Sequence, residues 1–129
     1  SVTRDAAIGD GIRLAGYDAQ PAQVRPGDAL YVQLHWLTDG EPGADWTIFT
    51  HLVDPATGAV VAGKDAPPGN GSLPTSRWQT GWRIFDEYQI DLPADLAPGE
   101  YLLRFGLYQA DGEQMPPEGM DLGTVTLEP

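Results

Sequence analysis

Prolines and glycines interrupt this chain about every ten residues or fewer, and between them apolar residues recur with a period of two. Twelve prolines and sixteen glycines stand among 129 residues. Each proline removes a backbone donor and fixes φ, so helices longer than a turn or two are excluded wherever they fall. No window repeats apolar residues at helical spacing, whereas period-two alternation is the mark of a strand with one face buried. Residues 29–37 are the clearest case: Leu30, Val32, Leu34 and Trp36 share one face, and Tyr31, Gln33, His35 and Leu37 the other. Residues 46–54 are apolar on both faces, the pattern of a central, covered strand. With 59–65 these two segments read as a meander. Alternation returns at 82–92, 99–108 and 122–128, and an opening strand falls near 11–18. Residues 109–121 read as an Asp111-Gly112 hairpin turn carrying at most a short edge strand. Seven to eight antiparallel strands at this spacing predict an all-β sandwich, immunoglobulin-like or jelly-roll.

A length of 129 residues predicts one domain, spanning 1–129, with enough buried surface for a core. The absence of a starting methionine leads us to expect either a piece of a longer protein or a mature form. Hydrophobic residues make up 41%, which excludes a disordered tail. Cysteine is absent, so disulfides, thiolate metal sites and cysteine nucleophiles are excluded. No apolar run reaches the length needed to span a bilayer. Nineteen acids against seven Lys and Arg leave a net charge of −12. Phosphate backbones and anionic lipids require clustered cations, so nucleic-acid and lipid-surface partners are disfavoured. A self-repelling soluble surface, cation binding and a neutral polyhydroxylated ligand remain.

The segment PTSRWQTGWRIFDEY, 74–88, carries the sharpest questions. It ends a long aperiodic connection, 65–77, of a kind that in compact proteins is functional or pinned. Trp78 lies in that polar loop, either anchoring it by burial or offering a flat face to a sugar ring. Parity places Trp82 on the core side of the next strand or at its rim. With Asp65 and Arg77 at the two ends of the connection, Trp78 and Trp82 form the candidate ligand-contact set. Asp86 occupies an inward position, where a carboxylate must be paired or hydrogen-bonded. We expect the connection to supply its donors, from backbone N–H groups, the Thr75 and Ser76 hydroxyls, or Arg77. Asp86 and Thr75 would then pin the loop, with a bulge turning Asp86 to solvent as the other reading. The Pro-Gly corner before Tyr101 matches the tyrosine corner of sandwich folds, with plain core burial as the alternative.

Chemistry is sparse. His35 and His51 lie on neighbouring strand segments without the three or four closely spaced ligands of a zinc site, and no metal site is expected. The acidic loops 38–45 and 109–121 do not match a calcium-binding loop, so calcium enters only as an opportunistic ligand. Ser72 and Ser76 lack a nucleophile-elbow setting. No glycine-rich stretch opens a helix to cradle phosphates. We expect no catalytic residues, no enzyme activity and no cofactor.

Five segments also carry a resemblance: GDGIRLAGYD, VRPGDALYVQLHW, WTIFTHLVDPATGAVVAGKDAPPGNGSLPTSRW, FDEYQIDLPADLAPGEYLLRFGLYQADGEQMP and LGTVTL. Their order resembles the β-sandwich domains at the C-termini of bacterial multi-spanning membrane proteins of the glycosyltransferase type. The most specific parts are the His51-Leu52 pair, the D-x-P-P…P-T-x-x-W loop, and the L-P…P-G-x-Y-x-L-x-x-G-L-Y segment. A more distant, architectural likeness is to polysaccharide-recognising sandwich domains attached to export transporters. Trp82 after the Gly81 turn, and Glu113-Gln114 after the Asp111-Gly112 turn, depart from the pattern. The resemblance implies a non-catalytic extracytoplasmic module on a membrane-embedded parent, with polysaccharide or glycolipid as the candidate contact. A structural spacer or protein-interaction domain is the alternative.

Overall fold

The computed structural model describes the backbone of residues 2–21 and 23–129 and the side chains of 5–21 and 23–129. Ser1 and Ala22, which the expected domain includes, lie outside the described residues. Among the described residues nine strands follow in order: β1 (Val2–Gly9), β2 (Ile12–Gln20), β3 (Gln23–Val24), β4 (Ala29–Thr38), β5 (Thr47–Val53), β6 (Val60–Ala66), β7 (Arg83–Asp91), β8 (Gly99–Tyr108) and β9 (Gln114–Leu127). They form two sheets, β1-β2-β4-β7 and β3-β9-β8-β5-β6, antiparallel throughout except where β3 runs parallel to β9. The molecule is therefore the β-sandwich that the alternation predicts. Among the described residues no helix is long and apolar enough to cross a membrane.

The period-two residues build the interior. Leu30, Val32, Leu34 and Trp36 of β4 face Leu103, Phe105 and Leu107 of β8 and Ile48 and Leu52 of β5, all at most 1% exposed. Trp36 meets Phe105 edge to face, with ring centroids 5.7 Å apart. Tyr101 is buried, and its hydroxyl donates to the Ala97 carbonyl at 2.6 Å, closing the corner that leads into β8.

Three readings need correction. Segments 29–37 and 46–54 do not form a meander with 59–65, because β4 and β5 belong to different sheets and only β5 and β6 pair as a hairpin. Alternation reports which face is buried, and both sheets bury a face against the same core. The stretch 114–121 is more than the short edge strand expected after the hairpin turn: it is the first half of the 14-residue β9, paired with β8 across two register irregularities. Those irregularities break the alternation that would have marked it as a strand. Two additional strands lie at sheet edges, β1 paired with β2 and the short β3 paired with β9.

Residues 67–82 run along one side of the sandwich through two short 3-10 turns, Pro68–Gly71 and Thr75–Arg77. The chain bends at Gly69 with φ of 63°, a left-handed conformation that glycine adopts without strain. Thr75 is fully buried. It accepts the Trp46 N–H at 2.9 Å and donates to the Ala44 carbonyl at 2.6 Å, tying the connection to the turn that precedes β5.

Candidate functional site

The connection is held from several directions. Gly69 N–H donates to Asp86 Oδ1 at 3.1 Å, and the Tyr88 hydroxyl donates to the other oxygen. Asp86 is 8% exposed, and these two donors satisfy the carboxyl oxygens that burial removes from water. Its donors are thus a backbone amide of the connection and a tyrosine two residues on. The Thr75 hydroxyl, Ser76 and Arg77 bond or face elsewhere. Burial, followed by the Asp86 charge, pushes the Tyr88 phenol far above its ordinary range. Ser76 N–H donates to Asp45 at 3.1 Å, and the hydrogen bonds from Ser76 hold the Asp45 carboxyl below its usual range.

Trp78 closes the same region. It is 1% exposed, its indole N–H donates to the Leu73 carbonyl at 3.1 Å, and its ring lies 6.3 Å from that of Trp36. Removing an indole of this size from water stabilises the fold by about 5 kcal/mol, taking ~200 Å² at ~25 cal/mol/Å². An enclosed ring presents no face to a ligand. Trp82 is 38% exposed at the rim, where its backbone pairs with Thr38 at the end of β4. Arg77 is exposed beside Asp45.

Asp65 stands on the outer face of the five-stranded sheet, away from Trp82. Its Oδ1 lies 3.1 Å from His51 Nε2, and its Oδ2 accepts the Tyr108 hydroxyl at 2.9 Å. Burial first, and then the bond to Asp65, raises the Tyr108 phenol above its usual range. Phe49 stacks between these rings, 4.3 Å from His51 and 6.3 Å from Tyr108. The His51-Leu52 pair, the start of the D-x-P-P loop and the end of the G-L-Y segment therefore converge here. Both Asp65 oxygens are already engaged by protein groups, which makes the cluster a strut across three strands. The four candidate contact residues, Trp78, Trp82, Arg77 and Asp65, do not form one surface. Among the described residues no group of three or more His, Asp or Glu is placed to hold a metal ion.

The outer face of the four-stranded sheet is organised differently. Register places Asp18, Gln33 and Glu87 in one cross-strand row, Gln20, Tyr31 and Gln89 in the next, and His35 and Phe85 in a third. Arg13, Leu37 and Arg83 close that end. A depression of about 200 Å³ is lined by Asp18, Gln20, Tyr31, Gln33 and Glu87, with the Tyr31 ring 41% exposed. Beyond it lies a wider groove of about 470 Å³ at Arg13, His35, Arg83 and Phe85. Phe85 is 67% exposed, and its ring meets His35 edge-on at 4.8 Å. His35 Nε2 lies 3.1 Å from Gln33 Oε1 and 3.2 Å from Asp18 Oδ2, so imidazole, amide and carboxylate hold one another in place. From the Tyr31 row to the Leu37 row the face extends roughly 20 Å at strand rise. Tyr31, Gln33 and Phe85 are absent from the candidate set. The signal that marks Tyr31 and Phe85 is an aromatic ring on the solvent parity of a cleanly alternating strand, and Gln33 shares that parity with Tyr31.

Fold and site together define a two-sheet, largely antiparallel β-sandwich with an open row of polar and aromatic groups on the outer face of the four-stranded sheet. No protein-family model matches the chain, and no curated protein matches it in sequence. Among solved structures it is similar to the C-terminal domain of wzt, with a TM-score of 0.57, 16% identity, and 98% of this chain and 86% of that one covered. It is also similar to part of the Pseudomonas fluorescens alkylpurine DNA glycosylase AlkC bound to DNA containing an abasic-site analogue, with a TM-score of 0.56 and 11% identity. There the match covers 93% of this chain but only 30% of the glycosylase chain. At these identities the likeness is one of fold.

Proposed function

We propose that this protein is a non-catalytic accessory domain that contacts glycan or glycolipid through the outer face of β1-β2-β4-β7. In this reading it is displayed outside the cytoplasm by a membrane-embedded, glycosyltransferase-like parent. One observation carries the proposal: the half-exposed Tyr31 ring lies in a depression lined by two amides and two acids, Gln20, Gln33, Asp18 and Glu87. Sugar rings offer apolar CH faces that pack on aromatic rings, and hydroxyls that both donate and accept. A flat ring flanked by amides and carboxylates answers both needs. Strand register holds these groups at fixed spacing, which limits the ordering cost of binding. The resemblance of the sequence to C-terminal sandwich domains of membrane glycosyltransferase-type proteins supports the same reading, and so does the fold shared with the C-terminal domain of wzt.

The test is a titration of isotope-labelled protein with neutral oligosaccharides, following backbone amides of β2, β4 and β7. Saturable shifts centred on residues 31, 33 and 87 are expected. Tyr31→Ala should weaken binding at least tenfold while leaving the unfolding midpoint nearly unchanged, because the ring is not part of the core. Shifts that are absent for every sugar tried would favour a spacer or protein-interaction domain.

A further inference from the structure

The sheet face proposed above as the glycan surface is electrically divided. Asp18 and Glu87 stand at the Tyr31 end. At the other end, two of the chain's seven cations, Arg13 and Arg83, line the groove that holds Phe85, together with one acid, Asp5. In a protein with seven Lys and Arg against nineteen acids, two arginines against one acid in a single groove is a local excess of positive charge. The two arginines are not equivalent. Arg13 is already engaged, 2.7 Å from Asp5 and 3.7 Å from Asp39. Arg83 forms no ion pair among the described residues, and its solvent-exposed side chain projects from the same strand face as Phe85, two residues away. His35 fixes one edge of the Phe85 ring and leaves most of it uncovered.

We propose that this groove is a subsite for an acidic sugar, a pyranose bearing a carboxylate or a phosphate ester. Its ring stacks on Phe85, and its anionic group is received by the Arg83 guanidinium. The chemistry follows from the residues: a planar guanidinium offers paired N–H donors that match a carboxylate or phosphate, and the adjacent aromatic face takes the apolar side of the ring. A bound glycan is then oriented, with its charged unit at Arg83 and its neutral, hydroxyl-rich units toward Tyr31, Gln33 and Gln89. Asp18 and Glu87 oppose the reverse placement by like-charge repulsion. This inference rests on the glycan reading above and adds ligand class and polarity to it.

The experiment compares four probes by calorimetry and amide shifts: tetragalacturonate, glucose 6-phosphate, maltotetraose and a tetraglutamate peptide. Arg83→Gln, Arg83→Lys and Phe85→Ala are run in parallel. Both positions are exposed, and circular dichroism with the unfolding midpoint checks that each variant folds. At least one acidic sugar should bind more tightly than maltotetraose and perturb residues 83–87, with affinity falling as salt is raised. Which of the two acidic sugars binds identifies the anion. Arg83→Gln should lower acidic-sugar affinity about tenfold and leave maltotetraose unaffected, Arg83→Lys should fall between, and Phe85→Ala should weaken every sugar that reaches the groove. Maltotetraose binding as tightly as either acidic sugar, with Arg83→Gln silent, overturns the acidic subsite and leaves the glycan reading standing. Tetraglutamate binding as tightly as the acidic sugars overturns it in favour of an acidic peptide partner. No binding by any probe overturns both readings.

Discussion

The Gly69 amide and the Asp86 carboxylate lie 3.1 Å apart across the gap between the long connection and β7, joining a 3-10 turn of the connection to the interior of a sheet. The same carboxylate takes the Tyr88 hydroxyl, so one acid satisfies a loop donor and a core donor together. Removing it leaves both without a partner. Asp86→Ala should cost about 1–3 kcal/mol, the range for stranding a buried polar group. It should also loosen residues 67–77 in hydrogen exchange more than it loosens β4 or β8. Unchanged protection in that segment would show that the connection is held by other means.

A second tie runs through Thr75, whose hydroxyl bonds both Trp46 N–H and the Ala44 carbonyl. Thr75→Val keeps the shape and strands both groups, so the urea midpoint should fall by the equivalent of about 1–3 kcal/mol. Thr75→Ser retains the hydroxyl and should recover more than half of that loss. Equal losses in the two variants would assign the effect to packing rather than to hydrogen bonding.

The Tyr88 phenol sets a limit on the alkaline side. Burial and the neighbouring Asp86 charge raise its folded pKa above the ordinary value of 10.0. Below that pH the tyrosine is neutral in both states and its contribution is fully present. Above it the unfolded chain releases a proton that the native state keeps, so stability falls as pH rises, with a slope of up to about 1.4 kcal/mol per pH unit for this one group. Tyrosinate absorbance should show one phenol that ionises only as the protein unfolds. Tyr88→Phe should abolish that coincidence.

Phe49 lies across Gly106 so closely that a Cβ placed there would stand 2.4 Å from the ring. Gly106→Ala should therefore destabilise by about 1–3 kcal/mol, the usual cost of overpacking. Pairing it with Phe49→Ala should cost less than the two single changes added together, by about 0.5–3 kcal/mol of coupling measured in a double-mutant cycle. Strict additivity would mean that the ring moves aside without strain.

Alternation made the sandwich legible because one face of each strand must leave water while the other stays in it, and that demand is written residue by residue. It placed Leu30, Val32, Leu34 and Trp36 inside. It also marked Asp86 as an inward acid in need of a donor, and the corner before Tyr101 ends in a hydroxyl bonded to Ala97. It could not place β4 and β5 in different sheets, because burial against a shared core looks the same from either side. Nor could it show that 114–121 is half of a long strand rather than at most a short edge strand, because two register irregularities break the period there.

What the chain alone determined, then, is which side chains leave water and which punctuation ends each strand, since both are properties of near neighbours. Only the tertiary structure decided which outward side chains share a surface. Tyr31 and Glu87 are 56 positions apart in sequence yet line one depression, and Arg83 and Phe85 meet His35 and Arg13 only through the pairing of β7, β4 and β2. Outward positions are under no shared demand to avoid water, so no local pattern reports their neighbours. Cross-strand register, fixed by the buried face, sets them side by side.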